Sequence, residues 1–355
     1  MKYIFIFFFL FSTLFAKSPS LDEMIGQMIM VGVSGSRTDE KWVKKLKVDI
    51  EQGKVGGVLF FANNIQSPKQ LKELTTFLSP KDSKYPPFIA VDQEGGEVQR
   101  LNKKNGFSSY PSAEDIAKNR TLAQSYEIYK KMSDELKEYG FNLNFAPVVD
   151  LNINQKSPAI GAKKRSYSAY EEIVIAYSSE FLNASSDAGI ISVLKHFPGH
   201  GSALNDSHKR LTDVSKTWEY RELKPYYNFI KYEKVDAIMV GHINLDIFDS
   251  KYPASLSKRI IEGLLRGKLG FKGVVFSDDM NMKAISDIYG FKNSIILAIN
   301  AGVDVLVYSS YFTKNTSVIN DVTKIIKSAV KNGEIREEKI INSYKRIVGL
   351  KNGIN

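Results

Sequence analysis

Residues 195–208 read Lys-His-Phe-Pro-Gly-His-Gly-Ser-Ala-Leu-Asn-Asp-Ser-His, and they hold three of the chain's four histidines. The stretch follows an apolar run, 188–194, of strand length. A strand feeding a basic, histidine- and glycine-rich loop is the arrangement in which a rigid scaffold carries chemistry on its loops. Asp206 stands two residues before His208, so in an extended or turning backbone both side chains face one way. The carboxylate can then orient the imidazole and stabilise its protonated form, which suits general acid–base work near neutral pH. His196 and His200 have the i, i+4 spacing of a helical zinc pair. Pro198-Gly199 between them breaks a helix, and the chain has no cysteine, so no metal and no other cofactor is expected.

A second acidic cluster is Asp278-Asp279, directly after the apolar run 273–277. A carboxylate at a strand end is held firmly enough to act as nucleophile or base. With two in a row, one can face a site while the other caps or orients the next segment. Asp92-Gln93-Glu94-Gly95-Gly96 matches neither the dinucleotide nor the P-loop pattern. A carboxylate ahead of a tight glycine turn fits hydroxyl binding better than phosphate binding.

The elements that must position these residues alternate. Strand-like runs fall at 28–33, 58–61, 88–92, 141–147, 190–194, 236–241, 273–277 and 303–308. Helical patterns fall at 39–52, 68–78, 112–139, 170–189, 217–231, 256–269 and 293–301, and two more, 318–331 and 337–351, close the chain. Ser67 followed by Pro68 marks one helix start. Continuous apolar runs are what buried parallel strands require. Eight βα units imply an α/β fold, a single-domain (β/α)8 barrel of the TIM type; a doubly wound open sheet is the alternative. Asp92, Asp150, Lys195-His196, His242 and Asp278-Asp279 all stand at C-terminal ends of the strand runs, the rim where a barrel carries its active site.

Together these stretches resemble a known family. Asp92-Gln-Glu-Gly-Gly-Glu-Val-Gln-Arg100, Phe145-Ala-Pro-Val-Val-Asp150, Lys195-His-Phe-Pro-Gly-His-Gly201, Asp206-Ser-His208, Met239-Val-Gly-His242 and Ser277-Asp-Asp-Met280 are similar, in order, to glycoside hydrolase family 3, and more narrowly to its β-N-acetylglucosaminidases. The resemblance implies a retaining mechanism through a covalent glycosyl-enzyme. It makes Asp278 the nucleophile, His208 the acid/base and Asp206 its partner. Asp92, Arg100, Lys195 and His196 match residues that bind the terminal sugar, as does Arg165, although Gly161-Ala-Lys-Lys ahead of it departs from the family's usual run. The implied substrate is a glycan containing N-acetylglucosamine, from peptidoglycan or related cell-envelope material. A phosphorylase using the same nucleophile and a non-catalytic glycan-binding envelope protein are the competing functions.

Composition bounds the rest. Of the 355 residues, 43% are hydrophobic and 25% charged, which excludes a disordered chain. Residues 1–16 combine Lys2, an apolar stretch and Ala16, and read as a signal peptide. The expected division is therefore a signal peptide, 1–16, and a barrel domain, 17–355, exported to the periplasm or beyond. Relatives of this size are cytoplasmic by the resemblance, so the leader is a departure. The net charge is +10. The lysines are scattered in doublets such as Lys44-Lys45 and Lys103-Lys104, a pattern of solvated surface rather than of a nucleic-acid site. No nucleic acid and no integral membrane span is expected, and the chain is expected to be a monomer.

Overall fold

The computed structural model describes residues 18–353 apart from 82, 206–210, 233 and 314–315. The leader and the Asp206–His208 pair therefore lie outside the described residues. Strands β1 (Ile29–Gly32), β2 (Gly57–Phe60), β3 (Phe88–Val91) and β4 (Leu143–Asn144) pair side by side in parallel. β5 (Ile191–Ser192) follows β4, and β6 (Leu194–Phe197) starts one residue later and pairs instead with β7 (Ala237–Val240). β7 pairs with β8 (Val274–Ser277), and β9 (Leu306–Tyr308) pairs back onto β1. Single parallel bridges, Val148 to Lys195 and Phe276 to Val305, join the two sheets at both seams and close the ring. The fold is a (β/α)8 barrel, with β5 and β6 as two halves of its fifth stave.

Almost every residue of the longer strands is buried, since one face packs into the barrel and the other against helices. Inside, Phe276 of β8 meets Phe88 of β3 and Phe145 beyond β4 at centroid distances of 5.9 and 5.5 Å. Edge-on rings fill the centre where opposite strands face one another.

Several expected boundaries need correction. The fourth strand is only Leu143–Asn144, because the chain leaves the ladder at 145–147 and returns for one bridge at Val148. The fifth run continues through Lys195 and His196, which lie within β6 rather than past its end. The pattern at 112–139 is two helices, Ala113–Asn119 and Leu122–Glu138, because Thr121 caps the second with a capping box to Gln124. Leu21–Gln27, begun by a Ser20–Glu23 capping box, is a helix the strand pattern concealed. Pro68–Leu78 starts at the expected cap, Ser67 accepting from the Gln70 amide. The helices Val318–Lys331 and Glu337–Lys351 also match. No helix among the described residues is long and apolar enough to cross a membrane.

The foot of the barrel is tied by the final helix. Asp304, fully buried just before β9, accepts from Arg266 Nη2 at 2.7 Å, Arg346 Nη2 at 2.7 Å, Ser343 Oγ at 2.7 Å and the Val275 amide at 2.8 Å. Lys351, at the end of that helix, donates to Gln27 Oε1 at 2.8 Å and the Gly56 carbonyl at 2.6 Å, with its ammonium 4.7 Å from the Phe88 ring centre. Removing the shared anion leaves two guanidinium groups without their buried partner. Asp304→Ala is expected to lower unfolding free energy by about 3–5 kcal/mol, read from urea denaturation. An unchanged midpoint would show that this network does not hold the foot.

Candidate active site

At the other end of the barrel the C-terminal rim opens into a cavity of about 380 Å³. This is near the lower limit for ligand pockets, so it suits one sugar ring better than a chain. Asp92, Arg100, Arg165, Lys195, His196, His200 and Asp278 line it, with Phe61, Phe145 and Met282 as apolar wall. A hollow of about 620 Å³ lies at the foot, beside Ile191 and Arg346, and the functional strand ends do not reach it.

Asp92 precedes a short antiparallel hairpin, Gln93–Gly95 with Val98–Gln99, and Glu94 lies within its first strand. Gln93 is its organiser. Its side chain accepts the Arg100 amide at 2.8 Å and donates to the Leu101 carbonyl at 2.9 Å. Its backbone exchanges two 2.9 Å hydrogen bonds with the Asn144 side chain at the top of β4. The turn takes positive φ at Gly95 and Gly96, and an added Cβ at Gly95 would lie 2.2 Å from the Pro111 carbonyl oxygen.

Lys195, only 2% exposed, reaches from β6 to Asp92 at 2.8 Å and Glu94 at 2.6 Å. Arg165 grips Glu94 with two parallel hydrogen bonds of 2.8 Å. It also donates to the Ala159 carbonyl at 2.8 Å. Arg100 touches the other oxygen of Asp92 at 3.4 Å. Burial pushes the Asp92 carboxyl up, but Lys195 and Arg100 outweigh it and hold it below its ordinary range. Glu94 is likewise held down, against burial, by Arg165 and Lys195. Both carboxyls are therefore charged, and Asp92 offers lone pairs where the cavity is open.

Asp150 holds the histidine segment. It accepts from the His200 amide at 2.8 Å, the His196 amide at 3.2 Å and His196 Nδ1 at 2.7 Å. That contact leaves His196 Nε2 facing Arg165 and the cavity, 3.5 Å from Nη2. Burial raises Asp150, and His196, through its ring, together with the His200 backbone amide brings it below its ordinary value. Burial depresses His200 to about 4, so it is a neutral ring at working pH.

The two aspartates after β8 divide as residue types allow. Asp279 accepts the Ser309 amide at 2.9 Å and the Asn281 amide at 3.0 Å, and its carbonyl meets His242 Nε2 at 3.0 Å. Burial raises the Asp279 carboxyl. Asp278 has its Oδ1 2.8 Å from the Asp279 amide and lines the cavity. His242 lies outside the cavity, its Nδ1 2.6 Å from Ser255 Oγ, and pins the strand end.

Thus Asp92, Arg100, Arg165, Lys195, His196 and Asp278 come together on one cavity. Asp206 and His208 lie beyond the described residues. Asp150, expected on the rim, holds the histidines from behind the cavity. Glu94 acts at the site without having been singled out for it, and its signal in the sequence was position, two residues past Asp92. Among the described residues no group of three His, Asp or Glu side chains is arranged to hold a metal ion.

Fold and site together define a (β/α)8 barrel with a charged cavity at its C-terminal rim. The glycosyl hydrolase family 3 N-terminal domain matches residues 20–350. The chain is 31% identical to β-hexosaminidase A of Pseudoalteromonas piscicida, over 84% of this chain and 53% of that protein. It is 38% identical to the β-hexosaminidase of Tolumonas auensis, over 71% of this chain and 75% of that protein. The structure of a family 3 β-N-acetylglucosaminidase from Paenibacillus superposes with a TM-score of 0.86 at 34% identity, covering 95% of this chain and 63% of that one. This chain therefore spans about half the length of the first relative and three quarters of the second. The chain belongs to glycosyl hydrolase family 3.

Replacing Asp92 by Ala removes a carboxylate that lines the cavity and leaves Lys195 half-paired. The expected cost is ~1–3 kcal/mol of transition-state binding, measured as kcat/KM on a nitrophenyl β-glycoside. Unaltered kcat/KM would take Asp92 out of the site.

Proposed function

We propose that the chain is a retaining exo-β-N-acetylglucosaminidase that removes terminal N-acetylglucosamine from peptidoglycan fragments or related envelope glycans. The observation that carries the reading is the placing of Asp278 at a strand end, on the same small cavity as the Asp92–Lys195–Glu94–Arg165 charge cluster. The cluster binds the hydroxyls of one terminal sugar, and the strand end holds a carboxylate still for attack. The relatives' names supply the N-acetylated hexosamine.

In this reading Asp278 attacks the anomeric carbon while His208, oriented by Asp206, gives a proton to the leaving oxygen. A covalent glycosyl-enzyme forms. His208 then takes a proton from water, which attacks the same carbon and returns the sugar with its configuration retained. We also propose export, from the apolar stretch 4–15 followed by Ala16.

Activity on aryl β-glycosides that differ only at the 2-position decides the sugar: 2-acetamido substrate is expected to be cleaved far faster than 2-hydroxyl. Asp278→Ala is expected to abolish turnover of every substrate. His208→Ala is expected to slow disaccharide cleavage by on the order of 10²–10⁴. Nitrophenyl glycosides, whose leaving group needs little proton, should suffer less, and azide should restore part of their rate. If His208→Ala slows both substrates equally and azide rescues neither, the acid/base role falls. Mass spectrometry of the native protein is expected to find its N-terminus near Lys17.

A further inference from the structure

Glu222 is a buried carboxyl that none of the roles above uses. It is 1% exposed and sits in the short 3₁₀ turn Tyr220–Leu223 behind the histidine segment. One oxygen, Oε1, accepts the Glu219 amide at 3.2 Å. The other, Oε2, has no hydrogen-bond partner among the described residues. Its carboxyl lies directly under Gly199. That glycine has φ +127°, and a Cβ there would fall 2.8 Å from both Cβ and Oε2 of Glu222 and 3.1 Å from Trp218 Nε1. Trp218 in turn donates to the Pro198 carbonyl at 3.0 Å. Two side chains of the 218–222 segment thus carry the turn between His196 and His200 from below.

We propose that Glu222 is a positioning residue for the reaction, holding the Pro198-Gly199 turn, and through it His196 and His200. This rests on the functional reading above for its effect on turnover, but not for the contact itself. A carboxylate with one oxygen buried and unpaired is far costlier than the neutral acid in the same place. Asp150 is the charged group acting on it from another element, and it is an anion. Glu219 adds a like charge from the same turn, Ser202 offers a hydroxyl, and Tyr226 is a neutral phenol. Burial, with Asp150 adding to it, pushes Glu222 up to about 8. Asp150 stays ionised because His196 and His200 donate to it. The two carboxyls behind the loop therefore keep opposite protonation states. The unfolded carboxyl ionises in its ordinary range while the folded one keeps its proton to about 8, so the folded state loses stability as pH rises between the two, and above that range ionised Glu222 sets a second negative charge behind the one that holds the histidines.

The chain has two tryptophans, Trp42 and Trp218, so Trp42→Phe leaves a single reporter against the turn. Its emission is expected to change with a midpoint near pH 8, and the change is expected to vanish in Trp42→Phe/Glu222→Gln. Glu222→Gln in the otherwise native chain is expected to turn over near the wild-type rate at neutral pH and to keep that rate above pH 8, where the wild type declines. Glu222→Ala is expected to lose about tenfold or more in kcat through misplacement of the histidines. An emission that ignores pH in Trp42→Phe overturns the proposal. So does a transition that persists in the Gln variant, or a Gln variant as slow as the Ala variant. Because emission is read without substrate, its outcome stands even if the enzyme proves to act on a different sugar.

Discussion

Lys195 stands between two carboxylates that would otherwise repel one another across the mouth of the barrel. Its ammonium, 2.8 Å from Asp92 and 2.6 Å from Glu94, joins the β3 hairpin to β6, and Arg165 completes the balance from the loop beyond β4. Buried ion pairs stabilise little on net, because desolvation opposes attraction. What this cluster supplies is position. Each member fixes the rotamer of the next, so the charged groups lining the cavity are set in advance. The rest of the rim follows the same rule: Asp150 fixes His196, and the backbone around Asp279 fixes Asp278.

The barrel was legible because its staves are buried on both faces and read as unbroken apolar runs, while Ser67-Pro68 and similar starts punctuate the helices. Two features were not. The split of the fifth stave at Val193 depends on which neighbour each half meets, and Thr121's division of a long helical pattern depends on a cap that single-residue periodicity overlooks. The site was legible where polar residues ended apolar runs, as with Asp92, Lys195 and Asp278. It was opaque where a residue works through another. Gln93 and Asn144 look like ordinary surface amides until the hairpin and β4 are placed together, and Glu222 sits inside an amphipathic stretch where a carboxylate usually faces water.

The two ends of the barrel divide labour. The rim carries charges arranged around an open cavity, with Asp92 and Asp278 facing it. The foot carries Asp304, whose oxygens are saturated by two arginines, a serine and a backbone amide. Saturated buried networks stabilise a shape, and partly open ones bind.

The closing of that foot by helix Glu337–Lys351 also has a consequence in time. Ser343 and Arg346 are needed to satisfy Asp304, and Lys351 reaches Gln27 and Gly56 at the beginning of the first two staves. Contacts spanning nearly the whole chain cannot form while it is still being synthesised. Until that helix has emerged from the ribosome, the first strands lack Lys351 beneath them and Asp304 lacks Ser343 and Arg346. The nascent chain therefore cannot close this end of its barrel until the helix is out.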